Sequence, residues 1–275
     1  MAFHTSLLKQ KWTMNNLTKY KIRRFFKKKT AALLFLLYRV QATHSIDSKR
    51  HTLFIGECTY SPWLVDEDFK AIYSKISKHT LVDINKLYLT YLYIKQLCKL
   101  KISGDYLEVG VWRGGYSALV GMTFALHSKL TRTLYLADTY EGMPQTVKED
   151  NFYKGGELAD TSVGIVTHLF ESCNLSNLQI IKGYFPDVTA SQIKSSNFAF
   201  VHIDVDIFES AKKSFDWVWE KMSINGMVVF DDYGYSSTEG VTTLIDDYVS
   251  SITDAMVIFN MGGQAIVIKL ALSGD

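Results

Sequence analysis

From residue 80 onward, apolar positions fall into short blocks whose period switches between that of a helix and that of a strand. In "LVDINKLYLTYLYIKQLCKL" (81–100) they recur at helical spacing. "DYLEVGV" (105–111) is a β-rich run, "WRGG" follows it, and "YSALVGMTFALHSKL" is an apolar helix. "TLYLAD" (133–138), "LQIIKG" (178–183), "NFAFVHID" (197–204) and "GMVVFDD" (226–232) read as further strands. Helices at 161–174, at 210–222 and at 239–249 separate them, the first with Asp160 or Thr161 as its cap. In the second of these, Ala211, Phe215, Val218 and Met222 fall on one helical stripe. "MVIFN" and "QAIVIKL" close the chain as a strand pair. Apolar strands alternating with helices predict an α/β fold. It is a doubly wound, mostly parallel seven-stranded sheet, Rossmann-like, with helices on both faces.

In such folds ligands bind beyond the carboxyl ends of the strands, and this chain concentrates its chemistry there. "HIDVDIFE" (202–209) tips an apolar strand with Asp204, and "GMVVFDD" ends in Asp231 and Asp232. Adjacent strands are about 4.8 Å apart, so three carboxylates converging on one rim would repel unless a cation is shared. Oxygen ligands favour Mg²⁺. The alternative is that Asp231 and Asp232 cap a turn before Tyr233-Gly234 while Asp204 caps the following helix. The first strand supplies Glu108, Gly110, Trp112, Arg113 and Gly114, spaced G-x-x-x-G-G, which is neither a nicotinamide fingerprint nor a phosphate loop. Asp138, ending the second strand, stands where an acid holds a ribose. A glycine turn and a ribose acid without phosphate-binding features suit S-adenosylmethionine. His202 shares strand parity with Asp204 but lies deeper, which favours a hydrogen-bonded core histidine over a proton acceptor. Asp206 is open between a group that supports a metal ligand from behind and a helix cap, and Lys154 and Lys182 lie within reach of the site. The polar loop 140–161 is long enough to cover a substrate.

Charge changes the picture at the N-terminus. Residues 1–46 carry ten Lys/Arg and no acid, whereas the other 229 residues carry 20 Lys/Arg against 28 Asp/Glu. This divides the chain into a basic arm, 1–46, and a catalytic domain, 47–275. "KYKIRRFFKKK" runs into "AALLFLLYRV", too short an apolar run for the roughly 20 residues of a spanning helix and too deep for an ordinary signal peptide. Residues 19–40 suit either an arm packed on the domain or a second subunit, or a segment on an anionic membrane surface. Cys58, Cys98 and Cys173 are scattered, as thiols in a reducing cytoplasm are. That places the chain in the cytoplasm, with the inner face of the membrane as the site of any peripheral contact. The acidic body opposes nucleic-acid binding.

The segments "YLEVGVWRGG", "LADTYEGMP", "GELADTSV", "GYFPD", "FVHIDVDIFES" and "GMVVFDDYG" together resemble the macrocin O-methyltransferase family. Its members are class I, S-adenosylmethionine-dependent enzymes that methylate sugar hydroxyls. The resemblance covers roughly residues 60 to 270. It implies Mg²⁺ at Asp204, Asp231 and Asp232, with Asp204 assisting proton removal, and a sugar-bearing acceptor in glycoconjugate, polysaccharide or natural-product synthesis. Family members carry Tyr where this chain has Phe208, and "YSSTEG" here lacks their Cys-Pro. Two other readings stay open: a metal-dependent glycosyltransferase using Asp-Val-Asp, and a catalytically silent, membrane-associated protein of the same fold.

Overall fold

The structure, a computed structural model, describes residues 16–41, 46–47, 49–53, 58–143 and 155–271. The chain forms two compact units, residues 1–59 and 60–275. The described part of the first contains the helix α1 (Asn16–Gln41).

The second unit holds a helix not among the expected ones, α2 (Glu67–Ile76), started by Asp66, whose carboxylate accepts from Phe69 N–H at 3.0 Å. Then follow α3 (Ile84–Lys99), β1 (Asp105–Val109), α4 (Gly115–His127), β2 (Leu134–Asp138), α5 (Val163–Ser172), β3 (Leu178–Lys182) and β4 (Phe198–Ile203). The unit ends with α6 (Phe208–Trp219), β5 (Met222–Phe230), α7 (Glu239–Thr243), β6 (Ala255–Asn260) and β7 (Gln264–Lys269). The sheet runs β3-β2-β1-β4-β5-β7-β6, with β7 antiparallel to both neighbours and every other pairing parallel.

Strand alternation divides the core. Tyr106, Leu134, Leu136, Phe200 and Val229 point to the face covered by α2–α5. Leu107, Tyr135, Val201, Val228 and Phe230 point to the face covered by α6 and the segment 241–249. All six residues of β4 are buried, and each large apolar side chain so placed contributes about 1.5–3 kcal/mol.

Four details differ from the sequence expectation. Met222 opens β5 rather than closing the helical stripe, because α6 ends at Trp219. The cap of α5 is Ser162, whose hydroxyl accepts from Ile165 N–H; Asp160 is engaged elsewhere. The helix expected over 239–249 changes after Thr243 to a π turn, Leu244–Tyr248, and then to a short 3₁₀ turn. Together these keep Val241, Leu244, Ile245 and Val249 buried against the sheet. Finally, β4 and β5 stop at Ile203 and Phe230, so the three aspartates begin the loops beyond the strands.

Candidate active site

Parallel strands deliver their carboxyl ends to one rim, and there a cavity of about 460 Å³ opens, walled by the ends of β1, β2, β4 and β5 and by residues 79–83. The turn after β1 forms its floor. Gly110 has φ +87°, and a Cβ there would lie 1.8 Å from the Asp204 carbonyl oxygen. A glycine is therefore demanded by the neighbouring strand end, whose Asp204 N–H donates to Val109 O at 2.9 Å. Trp112 holds φ +47° without being glycine, a conformation that surrounding contacts must impose. Three groups do so. The Asp138 carboxylate accepts from Val111 N–H at 2.7 Å and Trp112 N–H at 2.9 Å. Asp160 accepts from the Trp112 indole at 2.8 Å, and Thr161 donates to the Trp112 carbonyl.

Glu108, Gly110, Trp112 and Asp138 line the cavity; Arg113 and Gly114 do not. Arg113 is bound to Asp160, through its carbonyl at 2.7 Å and its carboxylate at 2.9 Å. Gly114, at φ +82°, makes room for Val166. Both shape the turn from behind. Lys182 pairs with Glu141 at 2.8 Å on the exposed rim. Lys154 and residues 144–154 of the expected covering loop lie outside the described residues.

Asp204, Asp231 and Asp232 all reach the cavity wall, but in different electrostatic states. Burial and the neighbouring Asp231 charge push the Asp204 carboxyl well above the usual carboxylate range. Burial, with Asp206 and Asp204 beside it, does the same to Asp232. The Asp206 N–H donates to Asp232 at 2.9 Å, and the Asp206 side chain joins the same wall. Asp231 behaves oppositely: burial would raise it, yet His202, Lys86 and Gln264 bring it down to about 2.

The reason is a buried chain of groups beneath the cavity. The Glu108 carboxylate faces His202 Nδ1 at 3.1 Å and accepts from the Ser117 hydroxyl. His202 Nε2 stands 3.6 Å from Asp231 Oδ1, an ion-pair distance too long for a hydrogen bond. Tyr116 stacks on the imidazole with ring centroids 3.6 Å apart. Burial would lower the imidazole's pKa, but the two carboxylates outweigh it and raise it to about 9. Lys86, reaching in from α3, donates to Asp231 Oδ2 at 3.0 Å and to its carbonyl at 3.2 Å. Gln264 Nε2 donates to Oδ1 at 2.5 Å. His202 is thus a paired core histidine between two acids.

Lys86 and Gln264 were missed in the sequence, although Lys86 carried a signal. It shares a helical face with Thr90, Ile94 and Leu97, all fully buried, and a lysine in that register must be paired. Gln264, opening an otherwise apolar strand, offered none.

Among the described residues, no group of three or more His, Cys, Asp and Glu side chains is assembled to hold a metal ion. The donor chemistry nonetheless suits a hard cation at one place. Asp204 and Asp232 are carboxylates raised by burial and by neighbouring acids, Asp231 for the first and Asp206 and Asp204 for the second, whereas Asp231 already has Lys86 as its counter-ion.

The family described as Macrocin-O-methyltransferase (TylF) matches residues 67–262. The chain is 25% identical over 190 residues to an 8-demethyl-8-(2,3-dimethoxy-alpha-L-rhamnosyl)-tetracenomycin-C 4'-O-methyltransferase of Streptomyces olivaceus, covering 66% of this chain and 70% of that one. It is 24% identical over 203 residues to a Mycinamicin III 3''-O-methyltransferase of Micromonospora griseorubida, covering 70% and 76%. Among solved structures, the O-methyltransferase NovP shares the fold with a TM-score of 0.62 at 21% identity, over 70% of this chain and 83% of that one. The calicheamicin methyltransferase CalS11 does so with 0.58 at 14% identity, over 86% and 100%. With a family match spanning β1 to β6, the cavity and the aspartates, the chain belongs to the macrocin O-methyltransferase family and is an S-adenosylmethionine-dependent O-methyltransferase.

Proposed function

We propose that the chain transfers the methyl group of S-adenosylmethionine to a sugar hydroxyl on a glycoconjugate, polysaccharide precursor or glycosylated natural product. The observation that carries this reading is a single cavity at the strand ends, lined by the β1 turn, Asp138, Asp204 and Asp232 together. The names of the relatives support the acceptor class, since one methylates a rhamnosyl-bearing tetracenomycin.

The Gly110–Trp112 turn and Asp138 receive the nucleoside end of the cofactor. Asp138 fixes the turn through the Val111 and Trp112 N–H groups on Oδ2, and Oδ1, which already accepts from Tyr140 N–H at 2.7 Å, offers its second lone pair to a ribose hydroxyl. The acceptor hydroxyl lies at Asp204, which takes its proton as the oxygen attacks the methyl carbon. The new C–O bond forms as the C–S bond breaks. The electron pair leaves with sulfur, and S-adenosylhomocysteine departs neutral at that atom. Proton acceptance requires Asp204 in its charged form, which a cation beside it would favour. In-line placement of oxygen and carbon supplies much of the remaining rate. Asp204 and Asp232, with Asp231 beside them, would hold a Mg²⁺ ion. Bound there, such an ion supplies Lewis-acid chemistry, lowering the pKa of a coordinated hydroxyl.

Titration calorimetry tests the cofactor half of this reading. S-adenosylhomocysteine should bind, and a uridine diphosphate sugar should not. Asp138→Ala should weaken S-adenosylhomocysteine by about 1–3 kcal/mol, since the ribose loses a charged acceptor and the turn loses two N–H contacts. Equal affinity in wild type and variant would put the ribose elsewhere; binding of the sugar nucleotide alone would favour glycosyl transfer.

A further inference from the structure

The helix α1 is chemically unlike the rest of the chain. It spans Asn16–Gln41, 26 residues, with no acid in its first turn or anywhere in residues 1–46. No side chain from 18 to 39 is buried. Phe25, Phe26, Leu33, Leu36 and Leu37 are each more than half exposed. At about 100° per residue, these five and Ile22 fall on one side of the helix. Lys21, Arg23, Arg24, Lys27 and Lys28 fall on the other, which Tyr20, Leu34 and Tyr38 share with them toward its ends. Lys19 and Lys29 interrupt the apolar side; the Lys29 Nζ sits 5.8 Å from the Phe25 ring centroid, and a lysine stem is long enough to carry its charge back to water.

Each alternative partner leaves part of this pattern without a role. A bilayer-spanning helix needs roughly 20 apolar residues, and among the described residues no helix is long and apolar enough. A nucleic acid would use the cations and leave the phenylalanine and leucine side exposed to water. Pairing with a second α1 would bury that side but set two acid-free basic helices against each other, with no opposite charge to fix their register. An anionic bilayer uses both sides at once. Apolar side chains enter the acyl boundary while Lys and Arg meet headgroup phosphates. The body of the chain, with 20 Lys/Arg against 28 Asp/Glu beyond residue 46, offers such a surface no comparable attraction.

We propose that α1 is an interfacial anchor lying in the plane of an anionic phospholipid membrane. This stands independently of the methyl-transfer reading, because it rests on a different segment and its test reads binding, not turnover.

The test is sedimentation of the full-length protein with phosphatidylcholine vesicles, with and without phosphatidylglycerol. Binding should require phosphatidylglycerol and weaken as salt rises, because the screening length falls from about 10 Å at 0.1 M to about 3 Å at 1 M. Arg23→Gln/Lys27→Gln/Lys28→Gln should lower the partition coefficient about a hundredfold, at about fivefold per charge. Phe25→Ser/Phe26→Ser should remove binding even at low salt. Both variants should keep wild-type circular dichroism and S-adenosylhomocysteine affinity. Three results would overturn the proposal: no sedimentation with anionic vesicles, equal binding to neutral vesicles, or wild-type binding by the phenylalanine variant. Duplex DNA binding that survives Phe25→Ser/Phe26→Ser would overturn it in favour of a nucleic-acid arm, and loss of a dimer in that variant without change in vesicle binding would overturn it in favour of a second copy.

Discussion

Lys86→Met is expected to lower folding stability by about 3–5 kcal/mol, the usual consequence of breaking a buried ion pair from one side. The lysine side chain is 4% exposed and the aspartate's 9%, so water does little to screen the pair. Burial alone would pull the lysine's pKa down; the Asp231 charge and the Tyr235 hydroxyl outweigh it and hold the ammonium charged. Methionine preserves the stem and most of the packing. It leaves Asp231 facing Asp204 and Asp232 with one cation fewer, and leaves the Asp231 carbonyl without its donor. Denaturant unfolding of wild type and variant measures the difference. Introducing Asp231→Asn into the same background should recover part of it, because the two effects are coupled. A loss below about 1 kcal/mol would mean that the pair behaves as a solvated surface contact.

Asp204→Asn is expected to reduce turnover by about 10²–10⁴, the range for losing a positioned proton acceptor. Asparagine is nearly isosteric and removes one acidic neighbour of Asp232, so the fold should persist. The backbone contact that depends on this position, Asp204 N–H to Val109 O, is untouched. S-adenosylhomocysteine affinity should change little, because the β1 turn and Asp138 stand on other strands. Treatment of the wild type with EDTA should reproduce the loss, and Mg²⁺ should reverse it. Release of S-adenosylhomocysteine during turnover reads both arms. Undiminished turnover in Asp204→Asn would reduce this carboxylate to a turn cap, and undiminished turnover in EDTA would remove the cation from the reading.

The sheet was legible because its strands are bounded by period changes and by glycine. β4 is buried from end to end and is accordingly an unbroken apolar run until His202. α2 escaped although Phe69, Ile72, Tyr73 and Ile76 recur at helical spacing behind Asp66, because the stretch is only ten residues long and its other face is charged. The rim carboxylates were legible from position alone, since a parallel sheet delivers its strand ends to one side. Their different charge states were not. Asp231 and Asp232 are adjacent in sequence, and only the fold brings Lys86, 145 residues away, onto one and not the other. Gly110 shows a second limit: glycine at a strand end suggested ligand approach, yet the first atom a side chain there would strike is the Asp204 carbonyl. Asp138 was placed correctly at the end of β2, but its hold on the Val111 and Trp112 N–H groups depends on strand pairing that no local pattern records.

Diffraction from crystals grown with S-adenosylhomocysteine tests the central claim most directly. The account predicts density in the cavity, with the ribose hydroxyls at the Asp138 carboxylate, the thioether sulfur between the Gly110–Trp112 turn and Asp204, and open space beside Asp204 and Asp232 for a sugar hydroxyl. Density outside this cavity, or in it with the sulfur turned away from the aspartates, would contradict methyl transfer at this site.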